Sequence, residues 1–288
     1  MKPAPFDYRA AHSVAEAIRL LGDGDREIKV LAGGQSLLPV LNMRMGHPDV
    51  LVDICRIPEL GSIDVDSQEA VHIGAAVRQA QAHADPRLRS GWPVLTEAIG
   101  HIGHPQIRNR GTVCGSLAHN DPASELPAVA VALDAELVAR SQRGLRRLNA
   151  ADFFDGPFST VLEEDELLTE VVFPRQPAWS GSSFQEFSTR VGDFATAGVV
   201  VRLERAGDVV SAARLVFFGV GGSPVRVAAA EQALLDAPVT PSSTAAAVSA
   251  LEEQLDPVGD IHATAAFRKE LAAQLAVTGI NQAWERCA

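Results

Sequence analysis

Two short stretches of this chain join glycine to a small hydroxyl residue in a way that suits phosphate chemistry: "AGGQS" at 32–36 and "GTVCGS" at 111–116. A glycine turn lets backbone N–H groups converge without interference from Cβ, and a Ser or Thr adds a short hydroxyl donor. Together these make a cradle for a pyrophosphate. Neither stretch fits the G-x-G-x-x-G or G-x-x-x-x-G-K-[ST] pattern. A plain turn would account for either one alone. Their joint presence, one after a strand and one between helical segments, points to a single dinucleotide held by both.

The second stretch runs on into "LAHNDPASELP", which places Asn120, Asp121 and Glu125 just past the glycine turn. Carboxylates this near a phosphate would repel it, so they suit sugar or ribityl hydroxyls. Equally, Asp121 or Ser124 could cap a helix starting near Pro122 or Glu125. The histidines raise a metal reading, with His101 and His104 at i, i+3 on a helix end and His119, His72 and His83 farther off. No third ligand has a matching spacing, so ordinary hydrogen bonds are the better account. "GVGGSPVR" (219–226) reads as a turn after which Pro224 opens a helix. No G-x-S-x-G elbow occurs, and Cys114 has no neighbouring basic residue to lower its pKa.

The elements that must position these loops follow from periodicity. Ser13 and Glu16 form a capping-box pattern ahead of Val14, Ala17, Ile18 and Leu21 on one helical face. "EIKVLAGG" reads as a buried strand, "SLLPVLNMRMG" as a helix with Pro39 in its first turn, and "DVLVDICRI" as a second strand. The first 57 residues are thus helix, strand, helix, strand. A strand is expected at 70–77 and a helix at 92–103, while 107–127 holds too many turn formers for a regular element. A helix then breaks near Asp134 into a strand, and another strand covers 165–174. "RSQRGLRR" (140–147) reads as a solvated hairpin. From Phe184 onward come two long strands around "RAGD" and then three helical stretches, an α+β arrangement of antiparallel strands and helices. "PAPFDYRAA" and "PRQPAWSGSS" read as surface connections.

Composition narrows the functional class. The chain has 288 residues, 47% of them hydrophobic, and a net charge of −11 with no basic stripe, which argues against nucleic acid as a partner. No apolar run approaches the roughly 20 residues of a membrane span. The N-terminus lacks a signal-peptide core, so a cytoplasmic location is expected. Cys55, Cys114 and Cys287 form no C-x-x-C pair, so the chain offers no zinc or iron–sulfur site of its own.

Taken in order, "KVLAGGQSLLPVLNMRMGHPDVLVDICRIPEL", "IRNRGTVCGSLAHNDPASELPAVAVALDAEL", "LLTEVVFP" and "STRVGDFATAG" resemble the FAD-binding medium subunit of the molybdenum hydroxylases, the relatives of carbon monoxide dehydrogenase, quinoline oxidoreductase and xanthine dehydrogenase. "GVGGSPVRVAAAEQALL" and "DIHATAAFRKELAAQL" resemble the C-terminal domain of that family. The resemblance implies a two-subdomain FAD-binding fold of the vanillyl-alcohol-oxidase type (1–57 and 58–177), then a smaller α+β C-terminal domain (178–288). It implies non-covalent FAD, with Leu31, Ala32, Gly33, Gly34, Gln35, Ser36 and Leu37 from one loop and Thr112, Val113, Cys114, Gly115 and Ser116 from the other around the pyrophosphate. Asp121 and Glu125 would meet ribityl or ribose hydroxyls, and Ile102 and Leu168 would pack on the rings. Arg190 and Asp193, within "RVGDFA", would lie near the isoalloxazine. No catalytic residue and no metal ligand are assigned to this chain. A molybdopterin cofactor and [2Fe-2S] clusters are expected only on partners, a large and a small subunit, in a dimer of heterotrimers. There this chain would pass electrons from the clusters to an external acceptor.

Three departures bear on that reading. Cys114 stands where the family's T-[IV]-G-G-S has its first glycine: at positive φ it would be strained by roughly 1 kcal/mol, and otherwise its side chain points away from the phosphate. Gln35 replaces the histidine of the carbon monoxide dehydrogenase branch, which favours an organic substrate such as an N-heterocycle or aldehyde. Val191 replaces a basic residue near the flavin. A stand-alone flavin oxidase and an FAD-free scaffold subunit are the alternatives.

Overall fold

A computed structural model describes residues 1–287. The chain begins with β1 (Asp7–Ala10), α1 (Val14–Leu21), β2 (Ile28–Leu31), α2 (Leu37–Asn42) and β3 (Val50–Asp53). The three strands form a wholly parallel sheet in the order β1-β3-β2, with Tyr8 opposite Leu51 and Val30 opposite Val52. Two right-length crossovers through short helices make this possible. Ser13 Oγ accepts the Glu16 N–H at 3.1 Å, and Glu16 Oε2 accepts from the His12 N–H, one residue before the cap. The expected surface connection "PAPFDYRAA" is corrected here, since it contains β1. That strand lies at a sheet edge with most of its side chains exposed, so it carries no apolar pattern to reveal it.

After a 3-10 turn at Pro58–Leu60 come β4 (Ile63–Val65) and β5 (Val71–Gly74). A helical run follows: α3 (Gln79–Ala84), α4 (Pro86–Gly91), α5 (Pro93–His101), α6 (Pro105–Arg108), α7 (Val113–His119) and α8 (Glu125–Ala132). Then come β6 (Glu136–Ser141), β7 (Gly144–Asn149), α9 (Ala150–Phe153) and β8 (Leu167–Phe173). The strands build an antiparallel sheet in the order β4-β5-β8-β6-β7, with the 140–147 hairpin at its edge. Asp134 takes a left-handed turn (φ 53°) between α8 and β6, as the break expected there requires. The segment 107–127 is not irregular. It forms α7 and enters α8, because Thr112 caps the first and the helices bury Leu117 and Leu126 against the core.

The last part holds β9 (Ser180–Phe187), β10 (Ala197–Ala206), β11 (Val209–Phe218), β12 (Val225–Arg226), α10 (Ala228–Gln232), α11 (Pro241–Gln254) and α12 (Ala265–Glu285). Its antiparallel sheet runs β12-β11-β10-β9. Two expectations are corrected: "PRQPAWSGSS" enters β9, and Pro224 leads into the short edge strand β12 before α10 begins. Both strands pair with neighbours that supply most of the burial, so their own sequences carry little period-2 signal.

This third sheet is apolar on both faces. Phe184, Val200, Val216 and Phe218 join the core of the preceding part of the chain, while Val199, Val201, Leu215 and Phe217 join a second core under α10–α12. One face therefore closes against the lobe that carries the glycine loops. That is how the C-terminal strands come to stand beside α5 and α8.

Candidate functional site

The first glycine loop leaves β2 at Leu31 and enters α2 at Leu37. Gly33 is there because nothing larger fits: a Cβ would lie 2.6 Å from both the Arg110 carbonyl oxygen and the Gly111 Cα. The two loops, 78 residues apart in sequence (33 to 111), thus touch backbone to backbone. Gly34 turns the chain at φ +75°. Beyond it, the N–H groups of Gly34, Gln35, Ser36 and Leu37 find no acceptor among the described residues, and Ser36 makes no side-chain cap. The Gln35 amide folds back to donate to the Gly33 carbonyl at 3.3 Å. The Cys55 thiol, on the chain leaving β3, donates to the Ala32 carbonyl at 2.9 Å and holds the loop from behind.

The second loop is organised differently. Thr112 Oγ1 accepts the Gly115 N–H at 3.0 Å, the Val113 N–H reaches Val77 O, and the Ser116 N–H returns to Thr112 O. Ser116 Oγ lies 3.1 Å from Ser124 Oγ. Cys114 sits inside α7 at negative φ, 2% exposed, with its thiol 3.5 Å from the Ile73 carbonyl on the core side. Burial, and then the charge of Glu170, push that thiol far above its ordinary pKa. Of the two possibilities the sequence left open, the second holds: Cys114 is unstrained and its side chain points away from the loop. Val113 is likewise fully buried, so both residues present only backbone to the loop surface.

Beside the first loop lies a cleft of about 220 Å³, lined by residues 31–34 and by Asp53, Cys55, Arg56, Arg78 and Arg110, the last just ahead of the second loop. None of the three arginines has a carboxylate within 4.0 Å among the described residues, although the chain is strongly acidic overall. The Arg78 guanidinium donates to the Arg110 carbonyl and so ties the second loop to the start of α3. Asp53, the acidic wall, is engaged by the Tyr8 hydroxyl at 2.6 Å and the Cys55 N–H at 2.8 Å. Burial raises its pKa, but those hydrogen bonds outweigh it and hold the carboxyl below its usual range. Sequence reasoning did not single out these arginines. They are 22 and 32 residues apart (56, 78, 110), and no local pattern joins them.

The other expected residues occupy different places. Asp121 Oδ1 accepts the Ala123 N–H at 2.9 Å and braces the turn before α8, while Asn120 adopts φ +46° to end α7 and donates to Gly156 O and Ser159 O. Glu125 opens α8 at 5% exposure. Burial, then the neighbouring charge of Glu186, push it up to about 8. Ile102 caps α5 and Leu168 is buried in β8. Arg190 and Asp193 lie in the loop after β9, where Gly192 packs against the His104 ring. His101 and His104 do not share a helix: the first ends α5 and the second precedes α6. Among the described residues no three His, Cys, Asp or Glu side chains gather as a metal site would require, and no helix is long and apolar enough to cross a membrane.

The arrangement fits a diphosphate. Such a dianion needs N–H donors and positive charge, and here a run of N–H groups lacks acceptors and three arginines lack carboxylate partners among the described residues. Comparison with known proteins agrees. Residues 4–176 match the family described as the FAD binding domain in molybdopterin dehydrogenase, and residues 182–283 match the CO dehydrogenase flavoprotein C-terminal domain. The chain is 43% identical over 273 residues to the 6-hydroxypseudooxynicotine dehydrogenase complex subunit alpha of Paenarthrobacter nicotinovorans, covering 94% of this chain and 92% of that one. Among solved structures it is similar to carbon monoxide dehydrogenase from Hydrogenophaga pseudoflava, with a TM-score of 0.97, 38% identity and 100% of each chain covered. It is also similar to quinoline 2-oxidoreductase from Pseudomonas putida 86, with a TM-score of 0.93, 34% identity and 99% of each chain covered.

Proposed function

This chain belongs to the FAD-binding medium subunits of the molybdenum hydroxylases, and on that premise we propose that its two glycine loops hold the diphosphate of FAD between them. It is an oxidoreductase subunit whose molybdenum and iron–sulfur centres reside on other subunits. The observation that carries the site assignment is the run of N–H groups from Gly34 to Leu37 that lack acceptors among the described residues, beside three arginines with no carboxylate partner there. Bound FAD supplies the redox chemistry. The chain's residues bind and orient it: the first loop donates to the phosphates, and Arg56, Arg78 and Arg110 offset their charge. The second loop completes the cradle and meets the first at Arg110 and Gly111. Asp121 and Glu125 take the hydroxyl-bearing part, and Ile102, Leu168, Arg190 and Asp193 flank the rings. The division at 57 and 177 is part of the same reading, with one sheet falling in each segment.

In the assembly, we infer, this subunit passes electrons from a small [2Fe-2S] subunit to an external acceptor, within a dimer of heterotrimers in the cytoplasm. The organic substrate, an N-heterocycle or an aldehyde, is turned over on the large subunit. Support comes from Gln35 in the first loop and from relatives named for nicotine-derived and quinoline substrates. The purified chain is expected to show flavin absorption bands that pass into the supernatant on acid denaturation, and to oxidise no carbon substrate unaided. A chain that stays colourless after incubation with FAD would refute the site assignment.

A further inference from the structure

Cys114 and Cys287 are buried in the two cores, whereas Cys55 lines the cleft beside the first glycine loop. Its position is set from two sides. The chain leaves β3 at Asp53, whose Oδ1 accepts the Cys55 N–H at 2.8 Å and whose Oδ2 accepts the Tyr8 hydroxyl of β1 at 2.6 Å. This short turn, anchored on the neighbouring strand, aims the Cys55 side chain back at the loop. Its Sγ lies 2.9 Å from the Ala32 carbonyl oxygen. Burial pushes the thiol above its ordinary pKa, with the Arg78 charge acting against it, so at neutral pH the thiol keeps the proton that it donates.

Four successive carbonyls of the loop are tied back within the protein. Leu31 O accepts the Ile54 N–H at 3.1 Å, Ala32 O the Cys55 thiol, Gly33 O the Gln35 amide, and Gly34 O the Leu38 N–H at 3.2 Å. Across the loop contact, the Arg110 carbonyl against which Gly33 rests accepts from Arg78. The Gly33 N–H, like those from Gly34 to Leu37, has no acceptor among the described residues. The loop is thus polarised, with its acceptors engaged and its donors open. Of the four ties, the one at Ala32 depends on a side chain from outside the loop.

The Ala32–Gly33 peptide is easily turned over. In a trans peptide the carbonyl and the N–H point in opposite directions, and a glycine on the C-terminal side offers little steric resistance to a flip. A flip would put the Ala32 oxygen where the Gly33 N–H now stands, an acceptor among donors. We propose that Cys55 is a positioning residue of the cofactor site: its thiol, aimed by Asp53 and Tyr8, holds the Ala32–Gly33 peptide so that the first loop keeps N–H donors, and no carbonyl, toward the diphosphate of FAD. The proposal rests on the FAD assignment above and deepens it. The role requires a donor and not sulfur as such. A serine hydroxyl at 55 can make the same bond, whereas alanine leaves the Ala32 oxygen without its donor.

The test is the dissociation constant of FAD, by flavin fluorescence titration of the full chain, for the native protein, Cys55→Ala and Cys55→Ser. Cys55→Ala is expected to weaken binding about tenfold, the scale of one hydrogen bond to a charged group, and Cys55→Ser to stay within about threefold of native. Native affinity in Cys55→Ala would overturn the proposal. Equal losses in the two variants would overturn it as well, because they would mark a packing role. Amide hydrogen exchange of the FAD-free chain gives a second reading that does not need the ligand. The Ile54 and Leu38 N–H groups, which bond the Leu31 and Gly34 carbonyls, should exchange faster in Cys55→Ala and at native rates in Cys55→Ser. Unchanged exchange in Cys55→Ala would overturn the brace. A native chain that binds no FAD, with exchange behaving as expected, would count against the FAD assignment and leave the brace standing as a property of the loop.

Discussion

The two glycine loops look alike in sequence and are opposite in structure. The first is open: its N–H groups from Gly34 to Leu37 have no acceptor among the described residues, its turn is walled by arginines, and it is held by the Gln35 amide on Gly33 and a thiol behind Ala32. The second is closed. Thr112 satisfies Gly115, Val113 reaches Val77, and Cys114 buries its side chain beneath the loop. One loop leaves a run of donors open, and the other, most of whose donors are taken within the protein, meets it at the Gly33 contact. Two glycine–hydroxyl motifs of similar sequence can therefore differ in how many N–H donors they leave open.

The largest effect expected from this contrast is at their contact. Gly33→Ala would push a methyl into the Arg110 carbonyl and Gly111, an overpacking cost of about 1–3 kcal/mol. The FAD dissociation constant should rise roughly tenfold to 100-fold by fluorescence titration. Retained native affinity would mean the loops do not depend on each other. Next comes Cys114→Gly, which brings the second loop to the family pattern. It removes a buried side chain from a helix interior, so stability should fall by about 1–2 kcal/mol in urea unfolding, with FAD affinity unchanged. Tighter FAD binding in that variant would show that the cysteine obstructs the ligand, contrary to its inward orientation. Smallest is Thr112→Val, expected to cost about 1 kcal/mol of stability through loss of the cap. Its effect on FAD should be well below that of Gly33→Ala, and an effect as large would mean the Thr112 hydroxyl itself meets the ligand.

Much of the frame was legible before the structure. The helix at α1, the break at Asp134 and the hairpins at 140–147 and around "RAGD" each have a local cause: a cap, a turn residue or an alternation of apolar side chains. The misses share another cause. β1, the start of β9 and β12 are held by pairing with neighbours distant in sequence, and α7 by a threonine cap in a segment crowded with turn formers.

The site divides the same way. Sequence alone determined that glycine and hydroxyl residues stand at 32–36 and 111–116, that the three cysteines form no C-x-x-C pair, and that the ordered motifs belong to a flavin-binding lineage. These follow from residue identity and spacing along the chain. Tertiary structure decided that Gly33 meets Gly111, that Arg56, Arg78 and Arg110 line one cleft, and that Cys114 faces inward. Each of these depends on which elements pack together, because burial, charge pairing and close backbone approach are properties of neighbours in space and leave no pattern along the chain.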